Sequence, residues 1–213
     1  MRILVFAPHN DDEVLGVGGT IRRHVLMGDS VFVCEVTSGP KYKMMQEQAR
    51  LAHERLGVTE AVFLNLPVSQ LADLPKTELN ARIDEIVKRF SPDAVYTPFL
   101  GDMHFDHRMV TEAVLVAIRP VNGCPVKKAY MYETLSETGW NAPYGNNNFS
   151  PNRYVDISDT LEDKLAAMAC YTSQVHPFPH PRSAEAISAL AMHRGAEAGK
   201  KYAESFMLIR EID

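Results

Sequence analysis

The feature that most constrains this chain is a regular alternation, in which short apolar runs rich in β-branched residues are separated by longer segments with apolar residues at helical spacing. Strands linked through helices lie parallel and are covered on both faces. The pattern therefore predicts a Rossmann-like α/β three-layer sandwich around a mainly parallel sheet. Residues 2–8, 29–37, 60–66, 93–99 and 127–133 read as strands, with helices over 13–27, 44–57, 76–90 and from the end of "GDMHFDHRMV" to about Ile118. Residues 136–152, "SETGWNAPYGNNNFSPN", are rich in turn formers and read as a long surface loop. A strand at 153–158, helices at 160–171 and 183–199, and a last strand-like run, "SFMLIREI", complete the reading.

At 213 residues, the chain suits one domain spanning 1–213. A hydrophobic content of 46% and a charged content of 23% exclude a disordered chain. The net charge of −5, with basic runs no longer than pairs such as Lys127-Lys128, excludes nucleic acid as a partner. Cys34, Cys124 and Cys170 form neither a disulfide framework nor a close thiolate pair, so reduced thiols in the cytoplasm are expected. The apolar stretch before His9 is too short for a leader or a membrane span, and no integral membrane segment is expected.

Against this ordinary background, "VFAPHNDDEVLGVGG" (5–19) ends a strand on His9, Asn10, Asp11, Asp12 and Glu13. A helix N-terminus favours one or two acidic residues, but does not require a histidine and three carboxylates together. A second cluster, "GDMHFDH" (101–107), also follows a strand directly. In open parallel sheets, ligand sites lie beyond the carboxyl ends of the strands, so both clusters project from one edge. Together they supply the donors of a mononuclear zinc site with an open position.

His9 and Asp12 can point to one spot, and a histidine from 104 or 107 completes two imidazoles and one carboxylate. We assign His107 as the ligand. His104 is left to stabilise an oxyanion or protonate a leaving amine, with Asp106 or Asp102 orienting an imidazole. The lack of thiolates favours Zn²⁺, which acidifies water and polarises a carbonyl, so amide or ester hydrolysis follows. Asp11, beside Asp12 but pointing elsewhere, is the expected general base.

Other chemistries fit less well. "GVGG" (16–19) misses the dinucleotide fingerprint because its third position falls on Ile21, and the glycines instead suit close packing of the first helix. No G-x-S-x-G elbow occurs. Trp140 is read as either a sugar-stacking wall or a surface anchor, and Arg182 as a contact for a substrate phosphate or carboxylate.

"APHNDDEVLGVGGT" resembles the (A)HPDDE signature of the PIG-L/LmbE deacetylases, and "GDMHFDH" resembles the D-x-H-x-D-H motif of that family. Further similarity appears in "YETLSETGW" (132–140) and in residues 180–206. The resemblance implies a Rossmann-like fold, one catalytic zinc per chain and removal of acetate from an N-acetylated amino sugar or its conjugate. It implies His9, Asp12 and His107 as metal ligands, Asp11 as base, His104 as electrostatic or acid partner with Asp106 behind it, and Tyr202 as a substrate contact. It also implies a homo-oligomer.

The sequence departs from the family pattern where Asn10 stands for proline, and where Met45 and Gln48 stand for an Arg and a Glu that Lys43 or Arg50 could replace. Two competing readings keep the fold: a non-catalytic sugar- or nucleotide-binding module, and a zinc amidohydrolase of a different bond.

Overall fold

The computed structural model describes residues 1–213. Strand β1 (Arg2–Ala7), helix α1 (Asp12–Leu26), β2 (Ser30–Ser38), α2 (Tyr42–Leu56), β3 (Glu60–Pro67), α3 (Lys76–Phe90), β4 (Ala94–Pro98), α4 (Phe105–Ala117) and β5 (Lys128–Tyr132) alternate as expected. The chain then adds β6 (Arg153–Asp156), α5 (Leu161–Met168), α6 (Ala184–Ala198) and β7 (Ala203–Glu211). All seven strands join one sheet in the order β3-β2-β1-β4-β5-β7-β6. The first five pair in parallel, and β7 runs antiparallel to both its neighbours.

Strand β1 shows why the sheet is sandwiched. Its side chains alternate: Ile3 and Val5 enter the core formed with α1, α2 and α5, whereas Leu4 and Phe6 enter the core formed with α3 and α4. Each such fully buried side chain contributes about 1.5–3 kcal/mol of transfer free energy, so both faces must be covered. Helix α2 stops where Gly57 adopts the left-handed conformation with φ 81°, which any Cβ would strain.

The glycines of α1 serve close packing. A Cβ at Gly16 would lie 2.1 Å from the Tyr132 ring, and one at Gly19 would lie 2.8 Å from Ile157. Beside them, Glu204 accepts the N–H groups of Gly19 and Thr20 while pairing at 2.6 Å with Lys164, which also donates to the Leu15 carbonyl. This buried glutamate explains why β7 starts two residues earlier than its apolar run: Ala203 and Glu204 belong to the strand, but a carboxylate hides the pattern.

Residues 136–152 form the expected loop, with two short 3₁₀ turns at Thr138–Trp140 and Gly145–Asn147; a further one at Leu71–Asp73 has no counterpart in the sequence reading. The position of the site follows from topology. β1 and β4 are neighbours, yet α1 packs on one face and α4 on the other, so a crevice opens beyond the carboxyl ends of these two strands. No helix is long and apolar enough to cross a membrane.

Candidate active site

Both polar clusters meet in that crevice. Asp12 Oδ2 lies 3.1 Å from His9 Nδ1 and 3.1 Å from His107 Nε2, and the two ring nitrogens are 3.3 Å apart. Three donor atoms this close together can be reached by one cation at the same time. Asp12 Oδ1 is buried without a partner. The donor set fits a divalent cation, and these residues can hold a metal ion.

The outer contacts fit as well. Each ring nitrogen pointing away from the triangle meets a carboxylate: His107 Nδ1 lies 2.8 Å from Asp102 Oδ2, and His9 Nε2 lies 3.1 Å from Asp106 Oδ2. Such partners fix the orientation of a ligating imidazole and raise its basicity. Thr138 donates to Asp102 Oδ1 at 2.5 Å, and the Ser69 N–H donates to Asp106 Oδ2 at 2.6 Å. The sequence leaves the choice between Asp102 and Asp106 open, and the family resemblance puts Asp106 behind His104. The structure uses both carboxylates, one on each imidazole of the triangle, and Asp106 reaches His104 only through its backbone N–H, which donates to His104 Nδ1 at 3.1 Å.

Electrostatics follow from this crowding. Burial works against a charge on His107, but Asp12 and Asp102 outweigh it and push the ring up to about 10. For His9, burial is likewise outweighed by Asp106 and Asp12, and the ring is pushed up to about 9. Burial and the two neighbouring imidazoles push His104 down to about 4. Despite its burial, Asp12 is held well below the usual carboxylate range by His107 and His9. Positive charge is therefore favoured on the two imidazoles of the triangle.

Asp11 sits beside the triangle with φ 121°, a conformation that costs a non-glycine residue about 1–3 kcal/mol. Its Oδ2 accepts from Arg182 Nε at 2.7 Å, and its Oδ1 is buried without a partner. Burial pushes its carboxyl up to about 7, with Arg182 pulling the other way. A buried carboxyl balanced near neutrality suits proton abstraction.

The remaining expected residues are less central. Arg182 engages Asp11 through Nε. Trp140 is exposed on the short turn that Thr138 ties to Asp102. Tyr202 packs against Ile157, Leu161 and Ala191, and its N–H donates to the Ser158 hydroxyl. Around Met45 and Gln48, Lys43 is exposed, Arg50 lies over the Phe63 ring, and Gln48 bonds to Thr172 and Ser173. Glu137, half-buried near His107, Asp12 and Arg182, is not singled out by the sequence; burial pushes its carboxyl up.

A second cluster lies behind the first. Glu13, Glu35 and His53 are all buried, with His53 Nε2 at 3.2 Å from Glu13 Oε1 and 3.3 Å from Glu35 Oε1. The Tyr171 hydroxyl donates to Glu13 Oε1 at 2.5 Å.

Comparison with known proteins agrees with this architecture. Residues 4–118, more than half of the chain, match the PIG-L family, described as GlcNAc-PI de-N-acetylase. The chain is 26% identical to diacetylchitobiose deacetylase of Thermococcus kodakarensis, with 99% of this chain and 84% of that protein aligned. It is also 26% identical to the 1D-myo-inositol 2-acetamido-2-deoxy-alpha-D-glucopyranoside deacetylase of Mycobacterium sp. (strain JLS), over 90% of this chain and 80% of the relative. Among solved structures, the conserved protein TT1542 from Thermus thermophilus superposes with a TM-score of 0.82 at 27% identity, covering 100% of this chain and 96% of that one. With the two motifs meeting at one crevice of a shared fold, the chain belongs to the PIG-L family of de-N-acetylases.

Proposed function

We propose that this chain is a single-domain, zinc-dependent N-deacetylase that hydrolyses the acetamide of an N-acetylated amino sugar or its conjugate. The observation that carries the reading is the 3.1–3.3 Å triangle of His9, Asp12 and His107 donors beside a buried Asp11. Nitrogen and oxygen donors without thiolate favour zinc over softer or redox ions. When bound there, the ion would acidify water and polarise the acetamide carbonyl.

The protein's own groups do the rest. Asp11 takes a proton from the attacking water, whose oxygen bonds to the acyl carbon, and passes it to the sugar nitrogen as the C–N bond breaks. Acetate and a free amine leave. His104 Nδ1 accepts the Asp106 N–H, so the proton of the neutral ring lies on Nε2 and can donate to the oxygen that gains charge in the transition state. Arg182 holds the Asp11 carboxylate, and its terminal nitrogens are available to an anionic group on the substrate. Trp140 offers an exposed ring for a sugar face. The three free thiols suit a reducing compartment, the cytoplasm.

The test is acetate release from a panel of N-acetylated sugars, lipid conjugates and nucleotide sugars by the zinc-loaded protein. Release from at least one member, lowered about 10²–10⁴-fold by Asp11→Asn with zinc content unchanged, is the expected result. Silence across the panel with zinc bound overturns the reading.

A further inference from the structure

Glu13 differs from the other carboxylates of the 9–13 motif. It is fully buried and makes no hydrogen bond to His9, His107 or Arg182. Its Oε2 accepts the backbone N–H of Asp11 at 3.2 Å, while its Oε1 accepts the Tyr171 hydroxyl at 2.5 Å and lies 3.2 Å from His53 Nε2. One side chain therefore joins the Asp11 peptide to helix α2 and to the segment after α5.

That peptide has a demanding task. Consecutive side chains must diverge, with Asp12 turning to the imidazoles and Asp11 to Arg182, and the backbone does this by holding Asp11 at φ 121°. The carbonyl of Asp11 is fixed by the N–H groups of Val14 and Leu15 as α1 begins. On its other side, the buried N–H of Asp11 has only the Glu13 carboxylate as acceptor. Without that acceptor, a buried donor would be orphaned and the peptide would gain by turning toward an ordinary φ, taking the Asp11 carboxylate with it.

We infer that Glu13, braced by Tyr171 and His53, is a positioning residue that sets the backbone of Asp11 and thereby the aim of its carboxylate. The inference rests on the proposed reading in which Asp11 is the base. It assigns a role to three buried residues outside the triangle, and it predicts that Glu13 acts on turnover only through Asp11.

A double-mutant cycle on the zinc-loaded protein tests this by measuring kcat, KM and zinc content for Asp11→Ala, Glu13→Ala and the double variant. Glu13→Ala is expected to lower kcat by about 10²-fold, the scale of a misplaced catalytic group, with KM and zinc content unchanged. In the Asp11→Ala background, the same change is expected to alter kcat less than about twofold, because groups acting as one unit are not additive. Glu13→Gln keeps a carbonyl oxygen for the Asp11 N–H and is expected to recover to within about tenfold of wild type. Tyr171→Phe, which removes one brace, is expected to cost about threefold with Asp11 present and nothing without it.

Equal losses in both backgrounds, or zinc lost together with activity, overturn the inference while leaving the deacetylase reading intact. If Glu13→Ala does not fold, the cycles with Glu13→Gln and Tyr171→Phe decide by the same criterion. A wild type that is silent on every acetylated sugar overturns the functional reading, and this inference with it.

Discussion

His9, Asp12 and His107 on one side of the Asp12–Glu13 peptide, and Glu13, Glu35 and His53 on the other, offer similar donors at nearly the same spacing. They differ in what surrounds them. In the first group, the outward nitrogen of each imidazole meets a carboxylate, and His9 keeps 20% of its side chain open to solvent. In the second group, His53 Nδ1 has no partner, both oxygens of Glu35 lack a hydrogen bond, and everything is sealed. Glu35 Oε1 lies 3.3 Å from His53 Nε2, but not in line for a bond. Donor count alone therefore does not separate the proposed ion site from the inferred internal brace; the outer partners and the route in are what differ.

The most severe way to break this contrast is to remove a donor from each group. Asp12→Ala or His107→Ala should leave dialysed protein without bound zinc and reduce acetate release to background, whereas His53→Ala should keep its full zinc content by elemental analysis. A zinc deficit in the His53 variant would erase the distinction. Next in size, Asp102→Asn should weaken zinc binding by about 10–100-fold in competition with a chelator, because His107 loses the carboxylate that orients it.

Acidity sharpens the comparison further. His9 and His107 are pushed up to about 9 and about 10 by their carboxylates, so under the proposed reading a zinc ion has to displace protons from both rings at neutral pH. Zinc affinity should therefore fall as pH drops from 9 to 6, by about tenfold per unit for each proton displaced, in calorimetric titrations. His53 acts on stability instead. Against burial, Glu13 above all pushes it from 6.5 up to about 9, so its contribution is complete below pH 6.5 and is lost as pH rises through 9. The Tm of zinc-loaded protein should decline over that window, and less so in His53→Gln. Smallest of all, Glu35→Gln should raise Tm by about 2–4 °C: burial pushes the Glu35 carboxyl well up, and the amide mimics its neutral form. A drop of that size would show that its charge is in use.

The mainly parallel sheet and the projection of both motifs from one of its edges follow from patterns within single segments. Ile3 and Val5 against Leu4 and Phe6, or the apolar face of α2, can be read a few residues at a time. The two motifs that carry His9, Asp12 and His107 were legible for the same reason, since each begins just past a strand end. What escaped were contacts between distant segments. Thr138 reaches Asp102 across 36 residues, Arg182 reaches Asp11 across 171, and Tyr171 reaches Glu13 across 158. No local period announces such meetings, because they depend on which loops the sheet brings side by side. Glu204 was hidden differently: a carboxylate inside a strand contradicts the apolar pattern until Lys164 and the α1 N–H groups are seen around it.

Gly16 has a consequence for mutational tolerance. The Tyr132 ring that occupies the space of its missing side chain also donates its hydroxyl to the carbonyl of Phe6, three residues before His9. A single added methyl would press, through one aromatic lever, on the strand that carries the first imidazole. Directed evolution of this scaffold should therefore find alanine at 16 harder to accept than many changes at the rim, even though the glycine touches no reactant.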